Sequence, residues 1–260
     1  MSIELNTPDG PYADTRNELG FYTGAWQRPK RILGIQAASR KKRGATEMIY
    51  ANLIAGMERA GTEVDTVYLA EKDLKPCLGC FKCWTRDDGK CPVKDDITEL
   101  VERIPEFNLM IFATPLYVDG MSGLLKNFID RLMPLNHPSI FSKEGRCLHP
   151  SRHPIMPNLL LVSVCGFYEI ENFESIVQHV SAISINMHMP LIATILRPET
   201  LSLMDRSAQT KMGQVKDALQ EAGETVIYDG RIPDKTLQRI SQPLLSRAEY
   251  LENAKTWWKK

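Results

Sequence analysis

The chain has 260 residues, 32 basic and 32 acidic, and its formal net charge of +0 offers no electrostatic case for nucleic acid or an anionic membrane surface. With 43% hydrophobic and 25% charged residues it can bury a sizeable core, and no apolar run approaches the roughly 18 residues of a membrane span. Acidic residues precede the first base of the polar N-terminus, unlike a signal peptide, so the expectation is a cytoplasmic protein whose six cysteines are not a disulfide framework.

Residues 1–30 are rich in Pro, Gly and polar side chains and read as an arm that packs on the body or on a neighbouring subunit. The first apolar run, 31–38 (RILGIQAA), is short. The helical pattern behind it (Met48, Ile49, Leu53, Ile54 and Met57, ended by Gly61) favours a buried strand. Residues 63–70 (EVDTVYLA) alternate as a second strand. A cysteine-rich loop follows at 77–91, and then KDDITELVERIPEF, where Asp96 and Glu99 have capping-box spacing. A third strand over 108–114 leads through PLYVDGMSG into a helix at about 122–135, with Leu124, Leu125, Phe128, Ile129 and Leu132 on one face. Runs at 158–164 and 191–196 complete five strands, with a helix between them near 171–187. From about 206 the chain turns helical and polar.

Strands alternating with helices at this rhythm predict an α/β fold with a doubly wound five-stranded parallel sheet, because parallel neighbours need a crossover. The organisation expected is an arm over 1–30, a sheet domain over 31–200 and a helical C-terminal extension over 201–260.

Ligands of such sheets bind at the carboxyl ends of the strands, near the topological switch point. After the first strand, Ser39, Arg40, Lys41, Lys42, Arg43, Gly44, Ala45 and Thr46 lead into a helix; hydroxyls, basic side chains and free helix N–H groups suit a phosphate. The run matches neither G-x-G-x-x-G nor a P-loop, and a solvated basic turn is the plain alternative. After the third strand, Pro115, Leu116, Tyr117, Val118, Asp119 and Gly120 offer backbone N–H groups and an aromatic, which suit a flat heterocycle, or form an ordinary connection. Gly166 after the fourth strand would allow a close backbone approach to a ligand. Asp119 reads as a solvated loop acid, and no catalytic triad or other acid–base group stands out.

Cys77, Cys80, Cys83 and Cys91 form C-x2-C-x2-C-x7-C within fifteen residues. Three sulfurs so close suit an iron–sulfur cluster, and Cys91 is followed by Pro92, as in bacterial ferredoxin runs. Structural zinc prefers two separated pairs or Cys with His, and none of the five histidines is nearby. Metal-free packed or redox-active thiols are the third reading. Cys147 and Cys165 read as buried residues, the second at the end of a strand where it could line the site.

RILGIQAASRKKRGAT, LKPCLGCFKCWTRDDGKCPVKDDI and ATPLYVDGMSGLLKNFIDRL, in that order and spacing, resemble the iron–sulfur flavoprotein branch of the NADPH-dependent FMN reductase superfamily. The resemblance covers about 31–200 and implies a flavodoxin-like fold with non-covalent FMN. It assigns the FMN phosphate to Ser39, Arg40 and Thr46, with Lys41 as a substitute ligand, although Ala37 and Ala38 stand where the family has Gly and Ser. It assigns the isoalloxazine to the loop of Pro115, Leu116, Tyr117, Val118 and Gly120, with Tyr117 stacking on or flanking the ring. A [4Fe–4S] cluster on Cys77, Cys80, Cys83 and Cys91 is implied too, as are assembly into homodimers or homotetramers and a small-molecule or protein redox partner. The expected function is an FMN-dependent oxidoreductase in which the cluster exchanges single electrons with FMN. The alternatives are a cluster-free NAD(P)H-dependent reductase of flavin, quinone or nitro compounds, and a flavodoxin-like electron carrier or redox sensor with no substrate of its own. Tyr22, Trp26, Trp257 and Trp258 are expected to be buried in part by oligomer contacts.

Overall fold

The computed structural model describes residues 26–143, 145–205 and 207–257, without the side chain of Met204. The elements run β1 (Arg31–Gln36), α1 (Ala45–Arg59), β2 (Glu63–Tyr68), the one-turn α2 (Lys82–Thr85), α3 (Thr98–Arg103), β3 (Leu109–Tyr117), β4 (Gly120–Met121) and α4 (Gly123–Asp130). They continue with β5 (Phe141–Lys143), β6 (Arg146–Leu148), β7 (Asn158–Val164), α5 (Glu174–Asn186), β8 (Leu191–Arg197), α6 (Gln209–Asp229), α7 (Asp234–Ser241) and α8 (Arg247–Ala254).

Five strands form one parallel sheet in the order β2-β1-β3-β7-β8, the flavodoxin-like order, with the switch point between β1 and β3. The central strands read as unbroken apolar runs because both their faces are covered: Leu109 to Ala113 and Leu159 to Val162 are fully buried. One face packs on α1 and α6 through Ile49, Leu53, Met57, Val215, Leu219 and Val226. The other packs on α4 and α5 through Leu125, Phe128, Ile176 and Val180.

The C-terminal helices complete the first of these layers, and glycine sets how closely they approach. A Cβ on Gly56 would lie 2.0 Å from the Gln220 carbonyl oxygen, and one on Gly223 would lie 2.2 Å from that of Leu53, so α1 and α6 touch backbone to backbone. The fully buried Arg197 at the end of β8 donates to the carbonyls of Ile240 and Gln242, each at 2.7 Å, while Glu199 accepts from the Leu244 and Leu245 amides at 2.7 and 2.9 Å. Burial pulls the Arg197 guanidinium down to about 10, against the opposing pull of Glu199 3.6 Å away. The pair therefore works as a hydrogen-bonded anchor between the sheet and the extension.

Several expectations change. The capping box at Asp96 and Glu99 does not form: Asp95 accepts from the Ile97 and Thr98 amides at 3.1 and 3.2 Å, while Asp96 accepts from the Asp73 amide. The helix expected to reach 135 stops at Asp130 and resumes as a 3-10 turn, Met133–Leu135, with Pro134 inside it. Trp26 is used within the chain, its indole N–H donating to the Ile227 carbonyl at 3.0 Å, and Trp257 packs edge-on against Tyr250 at 5.2 Å. Both remain half-buried, and Tyr22, Trp258 and most of the 1–30 arm lie outside the described residues. Cys147, expected to be buried, is exposed in the β5–β6 hairpin. Among the described residues no helix is long and apolar enough to cross a membrane.

Candidate functional site

The carboxyl ends of β1, β3 and β7, adjacent in the sheet, bring three loops to one edge. The first is the basic turn. Gly44 caps α1 with φ 144°, in a region that favours glycine, and no side chain caps the helix, so its first-turn N–H groups face the turn unclaimed. Ser39, Arg40, Lys41, Lys42 and Arg43 are exposed, whereas Thr46 is buried beneath them. Lys41, itself at φ 52°, lies 3.8 Å from Glu71, and Lys42 sits over the Tyr68 ring at 5.3 Å.

Beneath this turn lies the side chain of Gln36, 0% exposed and overlooked in the sequence. Its Oε1 accepts from the Ala38 amide at 2.9 Å, and its Nε2 donates to the Lys41 carbonyl at 3.0 Å and to Glu47 at 3.2 Å. Glu47 also accepts from the Tyr68 hydroxyl at 2.9 Å; burial and that carboxylate push the Tyr68 hydroxyl up to about 12. One amide thus fixes the bend of the turn at Ala37 and Ala38.

The second loop is the β3–β4 hairpin. Tyr117 pairs with Gly120, and Val118 and Asp119 form its two-residue tip at φ 47° and 58°. Such tips favour Asn and Gly; a β-branched residue there is an outlier costing about 1–3 kcal/mol. Pro115 is buried and Leu116 and Gly120 are half-buried, whereas Tyr117 is 53% exposed and Val118 fully so. Ser175 donates to the Asp119 carbonyl. Ser122 ties this loop to the first: its hydroxyl donates to the Ala37 carbonyl at 2.8 Å and accepts from the Leu125 amide at 3.3 Å, and its own amide donates to Thr114 at 3.0 Å.

The third loop follows β7. A Cβ on Gly166 would meet the Leu201 side chain at 3.2 Å. The Gly166 carbonyl accepts from the Tyr250 hydroxyl at 3.0 Å, so the extension braces this loop. Cys165 is buried, and burial pushes its thiol up to about 11, which keeps it protonated and unreactive.

The cysteine loop leaves the sheet after β2 and returns before α3. Cys77 and Cys80 are exposed, Cys91 is half-buried and Cys83 is buried on α2. Burial raises the Cys83 thiol, and Cys91, then Cys77 and Cys80, raise it further, so the four sulfurs act on one another. The loop is held against the body by Trp84, which donates to the Met133 carbonyl at 3.1 Å and lies against His149 at 4.6 Å. Arg152 donates to the Cys83 carbonyl at 3.2 Å. Among the described residues no three His, Cys, Asp or Glu side chains converge to hold a metal ion. The donor set suits a cluster in kind, being four soft thiols.

The profile of the NADPH-dependent FMN reductase family matches residues 30–146, the stretch that carries the basic turn, the cysteine loop and the hairpin. That segment is similar to the NADPH-dependent FMN reductase family. The chain is similar to an iron–sulfur flavoprotein of Methanocaldococcus jannaschii, 33% identical over 105 residues, which are 40% of this chain and 53% of that protein. An iron–sulfur flavoprotein of Archaeoglobus fulgidus is 34% identical over 116 residues, 44% of this chain and 51% of the relative. The chain thus spans about half the length of the curated relatives it matches. In fold it is similar to an FMN-dependent NADH-azoreductase of Bacillus anthracis, at a TM-score of 0.56 and 12% identity, covering 76% of this chain and 99% of the other.

Within the segment similar to the FMN reductase family the expected ligands Ser39, Arg40, Lys41, Thr46, Pro115, Leu116, Tyr117, Val118 and Gly120 lie at one edge of the sheet, and Gly166 follows the neighbouring strand β7. Gln36 and Ser122, which brace that edge, were not anticipated. A buried polar residue closing an otherwise apolar strand was the available signal for Gln36.

Proposed function

We propose that the chain is an FMN-dependent oxidoreductase that holds FMN non-covalently across the basic turn and the β3–β4 hairpin, with a [4Fe–4S] cluster on Cys77, Cys80, Cys83 and Cys91. The observation that carries the flavin reading is the uncapped N-terminus of α1 beneath a basic turn that buried Gln36 has already bent, joined through Ser122 to the hairpin. Ser39, Arg40, Lys41 and the first N–H groups of α1 would bind the phosphate, with the partial positive charge of the helix end adding to the basic side chains. Backbone N–H groups of the hairpin would orient the ring edge and stabilise negative charge on it, and Tyr117 would cover it from solvent. When bound, FMN supplies hydride and single-electron chemistry; the protein supplies placement and electrostatics. NAD(P)H is the proposed donor, a small molecule or protein redox partner the acceptor, and a homodimer or homotetramer the working assembly.

The exposure of Cys77 and Cys80, with no three of the thiols gathered to ligand distance, favours a second reading: a cluster-free reductase of the same family. Iron and acid-labile sulfide per FMN in protein purified without oxygen separate the two. About four of each per flavin supports the cluster. Flavin alone supports the cluster-free enzyme, and protein that binds no FMN refutes both.

A further inference from the structure

The tip of the β3–β4 hairpin holds a conformation that its own residues disfavour. Val118 at φ 47° and Asp119 at φ 58° are consecutive non-glycine residues in the left-handed region, and the Val118 side chain is fully exposed, so no packing offsets the strain. Such backbone persists only where its surroundings over-determine it. At the base, the pairing of Tyr117 with Gly120 closes the hairpin. At the tip, the Ser175 hydroxyl, in the first turn of α5, donates to the Asp119 carbonyl. Among the described residues this is the one hydrogen bond that ties the tip to the body. The cleft around it, about 760 Å³, is lined by polar side chains, among them Glu171, Glu174 and Gln178, so apolar packing does not hold the tip on that side. A peptide unit is planar, and holding that carbonyl fixes the whole Asp119–Gly120 plane. The Val118 and Asp119 N–H groups, by contrast, have no hydrogen-bond partner among the described residues and are available to a ligand.

We infer that Ser175 is a positioning residue of the proposed flavin edge: its bond to the Asp119 carbonyl holds the hairpin tip in the left-handed conformation that presents the Val118 and Asp119 N–H groups to the isoalloxazine ring. The ring contact rests on the FMN reading above; the pin does not. Ser175 lies beyond the stretch that the FMN reductase profile matches, so the pin is supplied by a part of the chain outside that likeness. Without the hydroxyl, Val118 relaxes towards the extended region that a β-branched residue prefers, and the peptide planes on either side of it turn. Negative charge gathers on the ring when it is reduced, so misplaced donors weaken the hold on reduced FMN more than on oxidised FMN.

The test compares the full-length wild-type chain with Ser175→Ala and Ser175→Thr. Ser175 is exposed, so neither change disturbs the core. The first readout, on flavin-free protein, is the rate of chymotrypsin cleavage after Tyr117, whose side chain is exposed at the hairpin. Ser175→Ala is expected to be cut about fivefold faster than wild type, with its thermal unfolding unchanged. Cleavage at the wild-type rate overturns the pin. The second readout, on FMN-loaded protein, is the two-electron midpoint potential of the flavin. Ser175→Ala is expected to hold reduced FMN about tenfold less tightly relative to oxidised FMN, which lowers the potential by about 30 mV. A merely structural bond leaves the potential where it is, so an unmoved potential overturns the positioning role. Ser175→Thr keeps the hydroxyl and is expected to match wild type in both readouts; Ser175→Thr protein that behaves as Ser175→Ala overturns the assignment to the hydroxyl. Wild-type protein that binds no FMN sinks the flavin reading and the ring contact together, while the cleavage rates still decide the pin.

Discussion

Replacing Gln36 by Leu tests whether the proposed phosphate turn is bent before its ligand arrives. The substitution keeps an apolar stem inside the sheet and deletes every polar contact the side chain makes. The Ala38 amide, buried and bonded to Gln36 Oε1 at 2.9 Å, loses its acceptor, at a cost of about 1–3 kcal/mol. The bond from Nε2 to the Lys41 carbonyl is worth about 1 kcal/mol; Lys41 is exposed, so water replaces part of it. The expected loss is about 2–4 kcal/mol in urea unfolding of the flavin-free protein. Where the turn must be rebuilt on binding, each 1.4 kcal/mol is about tenfold in affinity, so FMN should bind at least about tenfold more weakly by fluorescence quenching. Gln36→Glu keeps an acceptor for Ala38 but loses the donor to Lys41 and sets a carboxylate beside Glu47, and it should weaken binding further than it weakens the fold. A Gln36→Leu protein unfolding within about 0.5 kcal/mol of wild type, with unchanged FMN affinity, would refute the idea that this amide shapes the turn.

Gly223→Ala drives a methyl into the Leu53 carbonyl oxygen and should cost about 1–3 kcal/mol or more in thermal or urea unfolding, far beyond what an alanine costs elsewhere in a helix. Val118→Gly relieves a strained hairpin tip and should stabilise the flavin-free protein by about 1 kcal/mol; a loss of stability would mean that the tip is held by contacts the exposed side chain makes. Burial raises the Asp95 carboxyl, but Arg131, the Lys75 amide and Thr98 outweigh it and hold it at about 2 against an ordinary 3.8. Its contribution, on the order of 2 kcal/mol, is therefore complete above about pH 4 and lost as the pH falls towards 2, so Asp95→Asn should flatten the acid limb of a stability–pH curve.

The sheet was legible because buried parallel strands leave continuous apolar runs, and crossover helices leave a 3.6-residue period; all five strands were found to within a few residues. The carboxyl edge was legible because topology alone says where loops converge. What was not legible depends on single polar atoms. Asp95 and Asp96 are equally plausible caps in a string of letters, and only the path of the cysteine loop decides that Asp95 faces the Ile97 and Thr98 amides. Trp26 and Trp257 look like spare aromatics until α6 and α8 are in place to receive them. The β5–β6 hairpin is too short for two strands to leave a pattern, so Cys147 reads as a core residue in the sequence and emerges on the surface in the fold. A lone glycine such as Gly166 does not say which neighbour requires its missing side chain, and the contact with Leu201 is visible only in the fold.

The proposed flavin edge and the cysteine loop are joined by one short element. Ser122 caps the start of α4 while bonding the Ala37 carbonyl of the basic turn, and Arg131 follows its last turn while bonding both ends of the cysteine loop. At 1.5 Å per residue, the nine steps between them span about 13 Å. Leu125 and Phe128 are fully buried against the sheet, so the helix is fixed by its middle as well as its ends. A loop in this position would let the two sites drift independently; a packed helix makes their separation a property of the core. Electron exchange between the flavin edge and a centre on the thiols would depend on that separation. The residues that govern it would then include Leu125 and Phe128, neither of which lies in the flavin edge or in the cysteine loop.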